Sequence, residues 1–121
     1  QNSLFDQTVF REAYQASLSI MKHVVPYLHP ESIDGLSTAL ARTATEIPKL
    51  IAAGECYGPK SSLSERSRYE AVRGCHEMIV MLSQCRDLYG QRVNGRLCAD
   101  LIDICFQSSR KLLDGHHKGK R

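Results

Sequence analysis

Residues 71–89, AVRGCHEMIVMLSQCRDLY, decide the fold. Ala71, Cys75, Met78, Leu82, Cys85 and Tyr89 recur every three or four residues, the spacing that lines one face of an α-helix. Val72 and Ile79 run beside that seam, while Val80, Met81 and Leu88 point away from it. One turn is therefore apolar nearly all round, which reads as a helix buried on two faces. Working back toward the N-terminus, Ser62 and Glu65 have the spacing of a capping box, so this helix is expected to start at Ser62 and end near Tyr89. At 1.5 Å per residue that is roughly 40 Å.

Three further segments share the period. Val9, Ala13, Ala16, Ile20 and Val24 form the first, ended by Pro26 and Pro30. Ile33, Leu36, Leu40, Ala44, Ile47 and Ile51 form the second, read from about Ser32 to Ala53. Pro48 lies inside it, but the seam continues in phase, which predicts a kinked, unbroken helix with Gly54 as its stop. Residues 55–61 are expected to form a loop, with Cys56 in it. Gly90 and Gly95 bracket the last connection, Asn94 is a good N-cap, and Leu97, Leu101, Ile104, Cys105, Ser108 and Leu112 form the fourth seam. Such short connections favour antiparallel neighbours. The expected fold is all-α, an up-down-up-down antiparallel four-helix bundle over residues 1–114, followed by a basic, flexible tail at 115–121.

Composition fits one domain of 121 residues, with 42% hydrophobic and 24% charged side chains. No apolar run approaches the roughly 20 residues that cross a bilayer, and no secretory leader opens the chain, so no membrane association is expected. The five cysteines are odd in number and lack C-x-x-C spacing. Four of them, Cys75, Cys85, Cys98 and Cys105, read as small buried hydrophobes in a reducing cytoplasm, and Cys56 as the exposed one. The net charge of +3 is uneven. Residues 110–121 hold five basic side chains against Asp114 alone, whereas the other 109 residues hold 11 basic and 12 acidic ones.

Signals for catalysis or metal binding are weak. His76-Glu77 begins a zinc-protease pattern, but the second histidine would be needed at Val80. Ser108-x-x-Lys111 lacks the companion motifs of Ser-Lys enzymes. Asp100 and Asp103 sit one turn apart without the Glu-x-x-His elements of a di-iron bundle, and read as a solvated face. His116-His117 makes a weak pair on a tail. No catalytic residue, metal or cofactor is expected.

The segment Arg42-Thr-Ala-Thr-Glu-Ile-Pro-Lys-Leu-Ile-Ala-Ala-Gly54 resembles the R-A-A-x-S-I-P-x-N-I-A-E-G stretch of the four-helix-bundle proteins encoded in bacterial 23S rRNA intervening sequences. Ala71, Gly74 and Glu77 stand where that family has A-x-x-S-x-x-E, and the likeness extends from Val9 to Leu112. Glu46, Leu50 and Ala53 replace the family's Ser, Asn and Glu, and Gly74 replaces its Ser. The resemblance implies a non-enzymatic bundle that assembles as a homopentamer. It also implies kinship with the accessory variability protein of diversity-generating retroelements, which binds a reverse transcriptase and nucleic acid.

Two functions follow as expectations. The first is association with nucleic acid, RNA or DNA, through a basic end holding Lys60, Arg66, Arg68, Arg110, Lys111, Lys118, Lys120 and Arg121. Arg42 and Lys49 are set aside because Glu46 lies one turn from each. The second is a protein–protein scaffold or adaptor, for example for a reverse transcriptase. In both, Val80, Met81 and Leu88 are the expected oligomer interface.

Overall fold

A computed structural model describes residues 8–28, 34–58 and 61–119, the last five of these in backbone only. The chain forms α1 (Thr8–His23), a single 3-10 turn (Val25–Tyr27), α2 (Leu36–Tyr57), α3 (Ser62–Leu88) and α4 (Gly95–Gly119), with no strand among the described residues. The four helices pack as a bundle in which α2 and α4 each lie along α3, and α1 closes the other side against α2 and α4. It is the all-α bundle that the four seams require.

The seams become the core. Ile20, Leu40, Met78, Leu82, Cys85, Cys98 and Leu101 are fully buried or nearly so, joined by Val24, Ala44, Ala71 and Cys75. Burying a side chain of leucine size stabilises the folded state by about 1.5–3 kcal/mol relative to exposure. One such layer per turn can hold four helices with no aromatic residue at the centre. Pro48 is buried inside α2, which runs on unbroken. It lacks an N–H, so the carbonyl of Ala44 has no intrahelical donor there.

Three boundaries differ from the sequence reading. The helix α2 passes through Gly54 and stops at Gly58, whose φ of 86° is one that only glycine adopts readily. Gly54 instead lets α2 approach α3, where a Cβ would stand 3.5 Å from the Ser64 carbonyl oxygen. Cys56 is thus exposed in the last turn of α2 and not in a loop. The cap of α3 is Ser61, one residue early: its Oγ accepts the Ser64 N–H at 2.9 Å, and the Ser62–Glu65 box gives way. This register buries Ser64 against α2. Finally, α4 continues past Leu113 to Gly119, although Leu112 is its last buried described residue. The Asn94 cap forms as read, Oδ1 accepting from Leu97 N–H at 3.0 Å. Ile33 and Pro30 fall outside the described residues.

One long-range bond ties two corners together. Tyr89 donates its hydroxyl to Asp34 Oδ2 at 2.8 Å, while Asp34 Oδ1 accepts the Leu36 N–H at 3.0 Å. The end of α3 therefore holds the carboxylate that starts α2.

Candidate functional site

Antiparallel packing brings the start of α1, the end of α2, the start of α3 and the end of α4 to one pole. Arg66 and Arg110 are exposed there, and Arg68 is half-buried with Nη2 donating to Ser64 Oγ at 3.5 Å. Lys111 crosses to α1 and pairs with Glu12, Nζ to Oε1 at 2.6 Å. The pole gathers these four cations but does not aim them together. Arg66 and Arg68, two residues apart, project from opposite sides of α3, and Lys111 turns toward α1. Lys118 lies in the helical span whose side chains are not described, and Lys60, Lys120 and Arg121 lie outside the described residues.

The expected interface trio divides. Val80 is 56% exposed and Leu88 63% exposed, whereas Met81 is half-buried and packs on the core. Consecutive residues diverge by about 100° on a helix, so Val80 and Met81 cannot present one surface.

Further exposed apolar residues lie where α3 and α4 meet solvent. On α4, Phe106 is 50% exposed and Leu113 is exposed beside it, with half-buried Ile102 underneath. On α3, half-buried Ile79 flanks the seam with α4, and Tyr69 and Val80 are exposed beyond it. Eleven residues are about three full turns, so Tyr69 and Val80 share one line along α3. Arg73 and His76 stand on that line between Tyr69 and Val80, so charge interrupts the apolar members on α3.

The groove between α2 and α3 is the reverse. Arg42, Glu46, Glu70, Arg73 and Glu77 rim it, and Ile47 and Gly74 form its floor. Arg73 donates to Glu70 and to Glu77, each at 2.7 Å. That hydrogen bonding, with the attraction of the guanidinium, lowers the Glu70 pKa and raises that of Arg73. A Cβ on Gly74 would stand 2.9 Å from Ile47 Cγ1, so the serine of the resembling family has no room here.

The weak chemical patterns do not assemble. His76 is exposed and Glu77 is engaged by Arg73. Ser108 is buried in a cavity of about 20 Å³ lined by Ala13, Ala16, Ser17, Ile104 and Cys105, while Lys111 is outside with Glu12. Among the described residues the Ser108 hydroxyl has no hydrogen-bond partner. Asp100 and Asp103 are exposed. Among the described residues no three His, Cys, Asp or Glu side chains are placed to hold a metal ion. Burial pushes Cys75 up to about 11, and Cys85 and Cys105 up to about 12, so these thiols stay protonated and unreactive near neutrality. No described helix is long and apolar enough to cross a membrane.

No protein-family model, curated protein or solved structure matches this chain.

Sequence reasoning passed over the exposed row on α4. Its signal was present: Ala99, Asp103, Phe106, Arg110 and Leu113 recur at steps of four, three, four and three beside the buried seam.

Proposed function

We propose that this protein is a non-enzymatic helical bundle that works by association, as a scaffold whose outer α3–α4 face receives another protein surface. The observation that carries this is the exposure of Phe106, Leu113, Tyr69 and Val80 along that face, in a bundle whose core is otherwise closed. Exposed apolar side chains of this size are stabilised by removal from water, which a partner surface provides. Self-association is part of this reading, and the family resemblance points the same way, toward a homopentamer. The test is the pair Val80→Glu and Phe106→Glu, with mass followed by sedimentation velocity and helicity by circular dichroism. The scaffold reading expects lost association with full helicity. Unchanged association in the double variant contradicts it.

A second reading is association with nucleic acid, RNA foremost, at the basic pole. What supports it is the arrival of Arg66, Arg68, Arg110 and Lys111 at one end, with the continuation of α4 carrying Lys118 onward. With Arg68 on Ser64 and Lys111 on Glu12, such binding is electrostatic, insensitive to base sequence and steeply salt-dependent. Binding of a labelled RNA that ignores added salt, or survives Arg66→Ala with Arg110→Ala unchanged, excludes this mode.

A further inference from the structure

The pole opposite Arg66 and Arg110 carries the less committed charge. There the end of α1, the 3-10 turn and the connection into α4 border an open depression of about 360 Å³ lined by His23, Tyr27, Arg92, Asn94 and Leu97. His23 and Arg92 are exposed, and Tyr27 is 53% exposed. Among the described residues none of these three side chains is engaged in an ion pair or a hydrogen bond. Lys22 and Arg96, also exposed and outside any ion pair among the described residues, add positive charge at this end. The acids here are taken: Asp87 Oδ1 accepts from Arg86 Nε at 3.0 Å, and Asp34 accepts from the Tyr89 hydroxyl and the Leu36 N–H. Asp100, farther along α4, lines a separate depression with Arg11. The residue that follows each of the three, Val24, Leu28 and Val93, is buried. Both turns are also closed by backbone bonds, Tyr27 N–H to Val24 O at 3.0 Å and Arg92 N–H to Tyr89 O at 2.9 Å.

We propose that this depression binds one nucleotide unit, a phosphate ester carrying a planar base, with Arg92 and His23 on the phosphate and Tyr27 against the base. The inference does not rest on the scaffold reading, and its site lies at the other end of the bundle from the nucleic-acid reading. A guanidinium presents its N–H donors in a planar fork that matches two phosphate oxygens. The His23 ring adds a further N–H donor. Asn94 has its carbonyl oxygen committed to the Leu97 N–H at 3.0 Å, which leaves its amide N–H groups for a ligand. Donors therefore outnumber acceptors around the depression, which favours an anion. The exposed Tyr27 ring offers a flat apolar face on which any base can stack. A bare anion would use the cations and leave Tyr27 idle, and a neutral aromatic would leave Arg92 unused. A nucleotide engages both. Because buried neighbours pin both turns, binding has little more than side chains to order.

The experiment titrates the full chain by calorimetry with adenosine monophosphate, adenosine, inorganic phosphate and a short oligoadenylate. The monophosphate should bind at least about tenfold more tightly than adenosine or inorganic phosphate, since each of those lacks one of the two contacts. Tyr27→Ala should weaken it about fivefold or more, Tyr27→Phe should preserve it, and Arg92→Ala should reduce it to the level of adenosine. Both side chains are exposed, so helicity by circular dichroism should stay at the wild-type level. Tighter binding of the oligoadenylate, lost in the same variants, marks a single strand as the source of the nucleotide; tighter binding of the monophosphate marks the free nucleotide. Inorganic phosphate that binds as tightly as the monophosphate overturns the proposal in favour of a simple anion site. Binding that ignores Tyr27→Ala and Arg92→Ala but falls with Arg66→Ala and Arg110→Ala overturns it and leaves the RNA reading standing. No binding of either nucleotide probe at millimolar concentration overturns it outright.

Discussion

The two flanks of α3 are built on different principles. Toward α2, Gly74 lets Ile47 sit directly on the helix backbone, and the rim is charge paired with charge, Arg73 between Glu70 and Glu77. Toward α4, Cys75, Cys85, Cys98 and Cys105 fill the depth of the seam, but beyond half-buried Ile79 its outer edge ends in exposed Phe106 and Val80. The first flank is closed along its middle by that packing, with Leu63 and Leu88 exposed toward its two ends. The second leaves Phe106 and Val80 exposed along its length. On the association reading, substitutions at the Gly74–Ile47 contact and at Phe106 should separate stability from association.

The largest effect is expected at the shared floor. Leu82 is fully buried, and Leu82→Ala should lower unfolding free energy by about 2–5 kcal/mol in urea titration. Phe106→Ala, half-exposed, should cost far less in the same measurement; an equal loss would erase the contrast between closed and open flanks. Next comes Gly74→Ala. In a helix interior this change ordinarily stabilises by roughly 0.5–1 kcal/mol. Here the new Cβ meets Ile47, and a loss of about 1–3 kcal/mol is expected instead. Adding Ile47→Ala should remove the clash, so the two changes together should cost less than the sum of the single changes. Additivity would place the tight contact elsewhere.

The thiols sharpen the picture of the α4-facing depth. Their folded pKa values are raised by burial, to about 11 for Cys75 and about 12 for Cys85 and Cys105, against about 8.5 in an unfolded chain. The folded state holds these protons more tightly. Their contribution is therefore complete below about pH 8.5 and is lost as pH rises toward 11–12. Urea midpoints should fall through that window, and replacing Cys105 with Ala should flatten the fall. At pH 8 a thiol reagent should modify Cys56 alone until the chain unfolds. The smallest effect is at Ser108, whose hydroxyl is buried with no partner among the described residues. Ser108→Ala should be neutral or stabilising by up to about 1 kcal/mol; a loss of several would show that the hydroxyl has an essential partner.

The fold was legible because each helix buries a seam at the helical period, and that period does not depend on where the helix ends. The ends were less legible. A glycine before a loop reads as a stop, and Gly54 could be told from Gly58 only by what packs on it and by its backbone angle. Ser61 and Ser62 offer the same hydroxyl, and burial of Ser64 chose between them. The exposure of Val80 and Leu88 was legible because they break the seam of α3, whereas Met81 lies on the core. The α4 row was hidden because Asp103 and Arg110 give it the look of an ordinary solvated face, and only the structure shows Phe106 between them exposed. The basic pole was read as a position in the bundle, yet sequence could not show that Lys111 turns to Glu12 or that Arg68 lies on Ser64.

The central claim, that the open flank of α3 and α4 is completed by association between copies of this chain, is tested most directly by the mass of the unmodified chain in solution. Sedimentation velocity at micromolar concentration should give a species that is a whole multiple of 13.6 kDa and that shifts toward one chain on dilution. A single species of 13.6 kDa at every concentration would contradict it.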